Sequence, residues 1–144
     1  MIYIDSSALV KRYLKENGSE RVQKTLSGKN LLAVSKLAYP EVLSAFMRKH
    51  RAGELGEGPL KKVIDWFLLD WDKLIIVDMN DGLLPILRTL LHNYPLKGAD
   101  AVHLASALWL SQSLKENLVF MASDQTLLKA ALSEQLLVLD PTAG

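Results

Sequence analysis

Cysteine is absent from all 144 residues, which excludes disulfides and thiolate-held metals and suits a reducing compartment. Long apolar runs are absent as well. None approaches the ~18 residues of a membrane-crossing helix, and the opening MIYIDSS has neither the basic segment nor the apolar core of a secretory signal. There is no excess of one charge: 17 Lys and Arg against 16 Asp and Glu leave a net +1, so any surface that attracts nucleic acid has to be local. Repeats, low-complexity tracts and linkers are missing. So are HExxH, GxSxG and GxxxxGKS/T, which leaves zinc hydrolysis, serine hydrolysis and P-loop chemistry unsupported. These absences predict a cytoplasmic protein with a single domain over 1–144 and no membrane association. A chain of this length buries roughly 70% of the surface it exposes when unfolded.

What is present is an alternation. MIYI is a short apolar run ending at Asp5 and reads as a buried strand. Ser6 and Ser7 are positioned to cap a helix through ALVKRYLKE, which Asn17-Gly18 terminates. An amphipathic piece over 19–27 leads to LLAV, a second strand. Ser35 opens the helix SKLAYPEVLSAFMRKHRAG, in which Pro40 is compatible only with the first turns, so Glu41 lies near its N-terminus. GPLKKVIDWFLLDW is a further helix, LIIV a third strand, DGLLPILRTLLHNY a helix and Pro95 to Gly98 a turn. A helix over about 99–114, the strand LVFMA, the helix QTLLKAALSE and a short fifth strand LLVL complete the chain. Strands that alternate with helices predict a parallel sheet covered on both faces.

Four acids stand at helix entrances. Asp5 and Asp124 each follow an apolar strand and precede a helix, while Glu41 and Asp100 lie in opening turns. Singly, an acid at such a position is usually a cap or a partner of the helix dipole. Asp100 is harder to dismiss, because residues 101–110 are apolar almost all round and a buried carboxylate is costly unless paired. In open α/β sheets, ligands bind beyond the carboxyl ends of the strands, where these junctions gather. If the four converge, their repulsion calls for a cation, and all-oxygen ligation selects Mg²⁺ or Mn²⁺ over zinc.

The segments YIDSSALVK, YPEVLSAFMR, KGADAVHLASAL and ASDQTLLKAA, taken in order, resemble the four acidic motifs of PIN-domain ribonucleases of the VapC toxin type. The resemblance spans essentially the whole chain. It implies a three-layer α/β/α sandwich around a mostly parallel sheet of four to five strands. It further implies a Mg²⁺- or Mn²⁺-dependent endoribonuclease that acts on RNA, a homodimer and a small VapB-like antitoxin. The ligands it implies are Asp5, Glu41, Asp100 and Asp124, with Ser6 in the hydroxyl position after the first aspartate. Lys97, where the family often has a basic residue, is the candidate phosphate contact. Ala122 departs from the Thr or Ser common two residues before the last aspartate, and Ser123 is the hydroxyl adjacent to it. Gln125 and Thr126 do not supply the extra acid some relatives carry there.

His103, three residues from Asp100, reads as a buried histidine bonded to a neighbouring helix, with metal ligation the sharper alternative. The basic groups Lys11, Arg12 and Lys15, and Arg48, Lys49 and Arg51, read as solvated faces or as holders of RNA phosphates. Trp66, Phe67 and Trp71 read as core, or as a groove for a partner helix. The rival to a nuclease is a non-catalytic binding module on the same fold, since fold does not fix function.

Overall fold

The computed structural model describes residues 1–143. Five strands, β1 (Ile2–Ile4), β2 (Leu32–Ser35), β3 (Ile75–Val77), β4 (Val119–Met121) and β5 (Leu137–Leu139), form one sheet in the order β3-β2-β1-β4-β5. Every pairing is parallel, so the sheet is wholly rather than mostly so. Strands buried on both faces read as unbroken apolar runs, and period-2 geometry divides their side chains between two cores. Tyr3, Ala33 and Phe120 face one core; Ile2, Ile4, Val34 and Met121 face the other.

Helices α5 (Leu83–Asn93), α6 (Gly98–Leu114) and α7 (Gln125–Ser133) cover the Tyr3 face through Leu90, Leu104 and Leu127. Helices α1 (Ser6–Val10), α2 (Ser19–Leu26), α3 (Ala38–Arg51) and α4 (Glu57–Trp71) cover the Ile4 face through Leu9, Val22, Phe46 and Phe67. The result is the expected three-layer sandwich. Helix α6 is nearly enclosed, with eight of its residues buried.

Three local expectations are corrected. Asp5, not Ser6 or Ser7, caps α1. That helix stops at Val10 instead of running through Glu16, because residues 11–13 tighten into successive i→i−3 bonds. The tightened turn aims Arg12 Nε (2.7 Å) and Tyr13 Oη (2.6 Å) at the Asp70 carboxylate on α4, tying the two helices together. Ser35 ends β2 instead of starting α3; its Oγ accepts from the Leu37 N–H at 3.1 Å and turns the chain into the helix. Glu41 is consequently the fourth residue of α3.

Candidate active site

The strand order reverses between β1 and β4, and Asp5 and Asp124 emerge from those two strands. They stand on either side of the crevice that a parallel sheet opens at its switch point. Asp5 Oδ1 accepts from the Ala8 N–H and Asp124 Oδ1 from the Leu127 N–H, both at 2.9 Å. Both are therefore caps. In each, the second oxygen has no hydrogen-bond partner among the described residues, so capping orients the carboxylate without consuming it. The Asp5 N–H donates to the Met121 carbonyl at 3.0 Å, which locks the residue between the two strands.

Glu41 and Asp100 enter from the first turns of α3 and α6. Glu41 Oε1 receives the Ser6 hydroxyl at 2.7 Å and lies 2.7 Å from His103 Nε2. On the other side of the ring, His103 Nδ1 is 3.0 Å from the Tyr3 hydroxyl. Burial pushes the Tyr3 phenol well above its ordinary value, so it keeps its proton and donates to Nδ1. His103 Nε2 then carries a hydrogen and donates it to Glu41. The histidine thus bonds a neighbouring helix, as its spacing indicated. Tyr3 escaped the sequence reading; the signal for it is its place two residues before Asp5, on the same side of β1.

Burial raises the Asp5 carboxyl to about 6; the Ala8 N–H and His103 oppose the rise, while Asp100 and Glu41 add to it. Burial also raises Asp100, reinforced by Asp124 and opposed by His103 and Lys97. Partial burial pushes Glu41 up as well, but the bonds from His103 and Ser6 outweigh it and hold Glu41 below the usual value. Asp5 thus feels Asp100 and Glu41, and Asp100 feels Asp124 and Glu41. The four carboxylates nevertheless form no closed cage: among the described residues, no three His, Asp or Glu side chains are disposed to hold an ion. Lys97 is exposed at the head of α6. The Ser123 hydroxyl, next to Asp124, is shut off from solvent and has no hydrogen-bond partner among the described residues.

The donor set suits a hard divalent cation. Asp5, Asp100 and Asp124 offer oxygens only, and among the described residues none of the three forms an ion pair. The raised Asp5 and Asp100 carboxyls mark repulsion and desolvation that a cation would relieve. Glu41 is already engaged by His103 and Ser6 and stands beside this trio.

A parallel α/β/α sandwich with an acidic cluster at its topological switch point defines the class of molecule. Within that class, the chain belongs to the PIN domain family, whose model matches residues 2–132. It is 36% identical over 109 residues to Ribonuclease VapC45 of Mycobacterium tuberculosis (strain CDC 1551 / Oshkosh), covering 75% of each chain. Its fold is similar to that in the crystal structure of FitAcB from Neisseria gonorrhoeae, with TM-score 0.66, 18% identity and 98% of each chain covered. It is also similar to VapBC2 from Rickettsia felis bound to a DNA fragment from their promoter, with TM-score 0.65, 13% identity and 97% and 98% of the two chains covered.

Proposed function

We propose that this protein is a divalent-metal-dependent endoribonuclease, the toxin of a VapBC-type module. What supports the reading is that Asp5 and Asp124 flank the switch point between β1 and β4, with Asp100 and a hydrogen-bonded Glu41 near enough to raise Asp5, and Asp124 near enough to raise Asp100. Membership of the PIN family and similarity to a protein named a ribonuclease support it. Asp5, Asp100 and Asp124 would hold Mg²⁺ or Mn²⁺, with Glu41 completing the cluster directly or through water. When bound, the ion supplies positive charge at the phosphate oxygens and lowers the pKa of an attacking water.

The chain's own residues do the positioning. Ser6 and His103 keep Glu41 ionised and fix its direction, so its free Oε2 is available to orient a water. The N-termini of α3 and α6 carry partial positive charge that favours a phosphate, and Lys97 adds a full one. Hydrolysis adds the water oxygen to phosphorus and breaks one P–O ester bond; the leaving oxygen takes up a proton. A small antitoxin is the proposed inhibitor. The proposed assembly is a homodimer, for which exposed Leu84 and Leu91, seven residues apart on one side of α5, supply apolar surface.

The test is RNA cleavage by wild type and Asp100→Asn, with Mn²⁺ and with chelator. Chelator should abolish cleavage, and the variant should lose more than tenfold in kcat/KM, above ~1.4 kcal/mol of transition-state stabilisation. Cleavage that survives both treatments refutes the assignment.

A further inference from the structure

The acidic cluster has an apolar neighbour. Tyr39 and Pro40 directly precede Glu41 on α3, and Ala99 and Val102 lie either side of Asp100 on α6. All four line a cavity of about 790 Å³ that Trp71, at the end of α4, and Met79, after β3, complete. On a helix of about 3.6 residues per turn, Pro40 and Ala99 lie about 100° round from the carboxylates that follow them and Tyr39 and Val102 about 200°, so the cavity lies round the start of both helices from the carboxylates. Its only formal charge is Lys36, which pairs with Asp78 at 3.1 Å where both are well exposed. Core packing does not account for the cavity: Met79 leaves 61% and Tyr39 38% of their surface to solvent. Tyr39 and Trp71 meet edge to face with ring centroids 5.1 Å apart, and the Tyr39 hydroxyl bonds to no other described residue.

A nucleotide has two unlike parts, a charged phosphate and a flat base with apolar faces and polar edges. The two adjoining compartments match these parts. Two helix N-termini and Lys97, with the cation that the acidic cluster would hold, suit the phosphate. Aromatic rings with one free hydroxyl suit a base, because stacking satisfies the faces and a hydroxyl satisfies an edge. The second groove, of about 700 Å³, meets this cavity at Leu37 and Pro40 and contains Ser6 and Glu41, but it has no aromatic residue; Arg48, Lys11, Lys49 and the ion-pair partners Glu16 and Glu54 line it. Resting on the ribonuclease reading, we infer that the Tyr39–Trp71–Met79 cavity receives an unpaired nucleobase of the RNA beside the scissile phosphate. A base seated there has left its stack and its pairing partner.

The experiment compares a single-stranded oligoribonucleotide with one made abasic at the nucleotide next to the cut. The abasic RNA should lose about 5- to 150-fold in kcat/KM with wild type, the range that stacking on an aromatic ring supports. Tyr39→Ala should lose similarly on the intact RNA and nothing further on the abasic one, while Tyr39→Phe keeps most of the rate. Equal cleavage of both RNAs by wild type, or equal loss by Tyr39→Ala on both, overturns the inference. A binding arm stands apart from catalysis: Asp100→Asn protein with ¹³C-methyl methionine, in Mg²⁺, should shift its Met79 resonance with intact but not abasic RNA. If wild type cleaves nothing while Met79 still responds to the base, the ribonuclease reading falls and the pocket stands. If wild type cleaves RNA while Met79 stays silent, the pocket falls and the ribonuclease stands. A Met79 shift that follows protein concentration alone marks an interface between copies and also overturns the inference.

Discussion

Asp5 uses its two oxygens differently: Oδ1 caps α1, and Oδ2 has no hydrogen-bond partner among the described residues. Only 4% of the residue is exposed, and burial first, then neighbouring carboxylates, lift its pKa from 3.8 to about 6. Without metal, the folded state binds the Asp5 proton more tightly than the unfolded chain does. The stability it contributes is therefore present below pH ~4 and lost as pH rises to ~6, at a cost of roughly 3 kcal/mol for two pKa units. Asp5→Asn keeps the capping oxygen and loses the charge. In chelator it should melt above wild type at pH 7.5, with a smaller gap at pH 5. A gap that does not change with pH contradicts the raised carboxyl.

His103 offers a second test at this scale. Replacing it with Leu leaves the buried Tyr3 hydroxyl without its acceptor, a loss of about 1–3 kcal/mol. Tyr3→Phe in the same chain removes the stranded hydroxyl. The double variant should therefore be more stable than the sum of the two single losses, as read by denaturant unfolding.

At the scale of elements, the N-terminus of α6 carries Asp100 into the site, so whatever braces α6 braces the chemistry. Helix α5 packs along it, and the approach is tight at Gly82, where the chain enters α5. A methyl group there would lie 2.7 Å from Trp109 Nε1 and 2.8 Å from Asn80 Oδ1. The indole is rigid, and the Asn80 oxygen already accepts from the Gly82 N–H at 2.8 Å, so neither neighbour yields easily. Gly82→Ala should cost about 1–3 kcal/mol through overpacking and lower Tm by several degrees. An unchanged Tm would mean that the two helices are not held at this separation.

For the whole molecule, the proposed toxin role predicts behaviour in a cell. Expression of the wild-type chain alone should arrest growth, and Asp5→Asn or Asp100→Asn should not. Co-expression with a small VapB-like antitoxin that binds it should restore growth. Harmless expression of folded wild-type protein, with no inhibitor present, would remove the toxin role and leave the nuclease reading to the cleavage assay.

The sequence alone determined the layers and the places of the acids. Apolar runs without polar alternation point to strands of a covered sheet, and Asp5 and Asp124 at the strand-to-helix junctions, with Asp100 in an opening turn, mark helix starts. These are local effects of periodicity and capping, readable within a few residues. Only the tertiary structure decided that β1 lies beside β4 and so brings Asp5 across from Asp124. MIYI, LLAV, LIIV and LVFMA are nearly interchangeable as apolar strands, and nothing local ranks their pairings. Tertiary structure also ended α1 early, because Asp70, far along the chain, draws Arg12 and Tyr13 toward α4. It joined Tyr3, Ser6, Glu41 and His103 in one hydrogen-bonded chain, and it gathered Tyr39, Trp71 and Met79 around one cavity. Such contacts join residues tens of positions apart. They are chosen by packing and hydrogen-bond satisfaction across the whole core, which no local window of sequence contains.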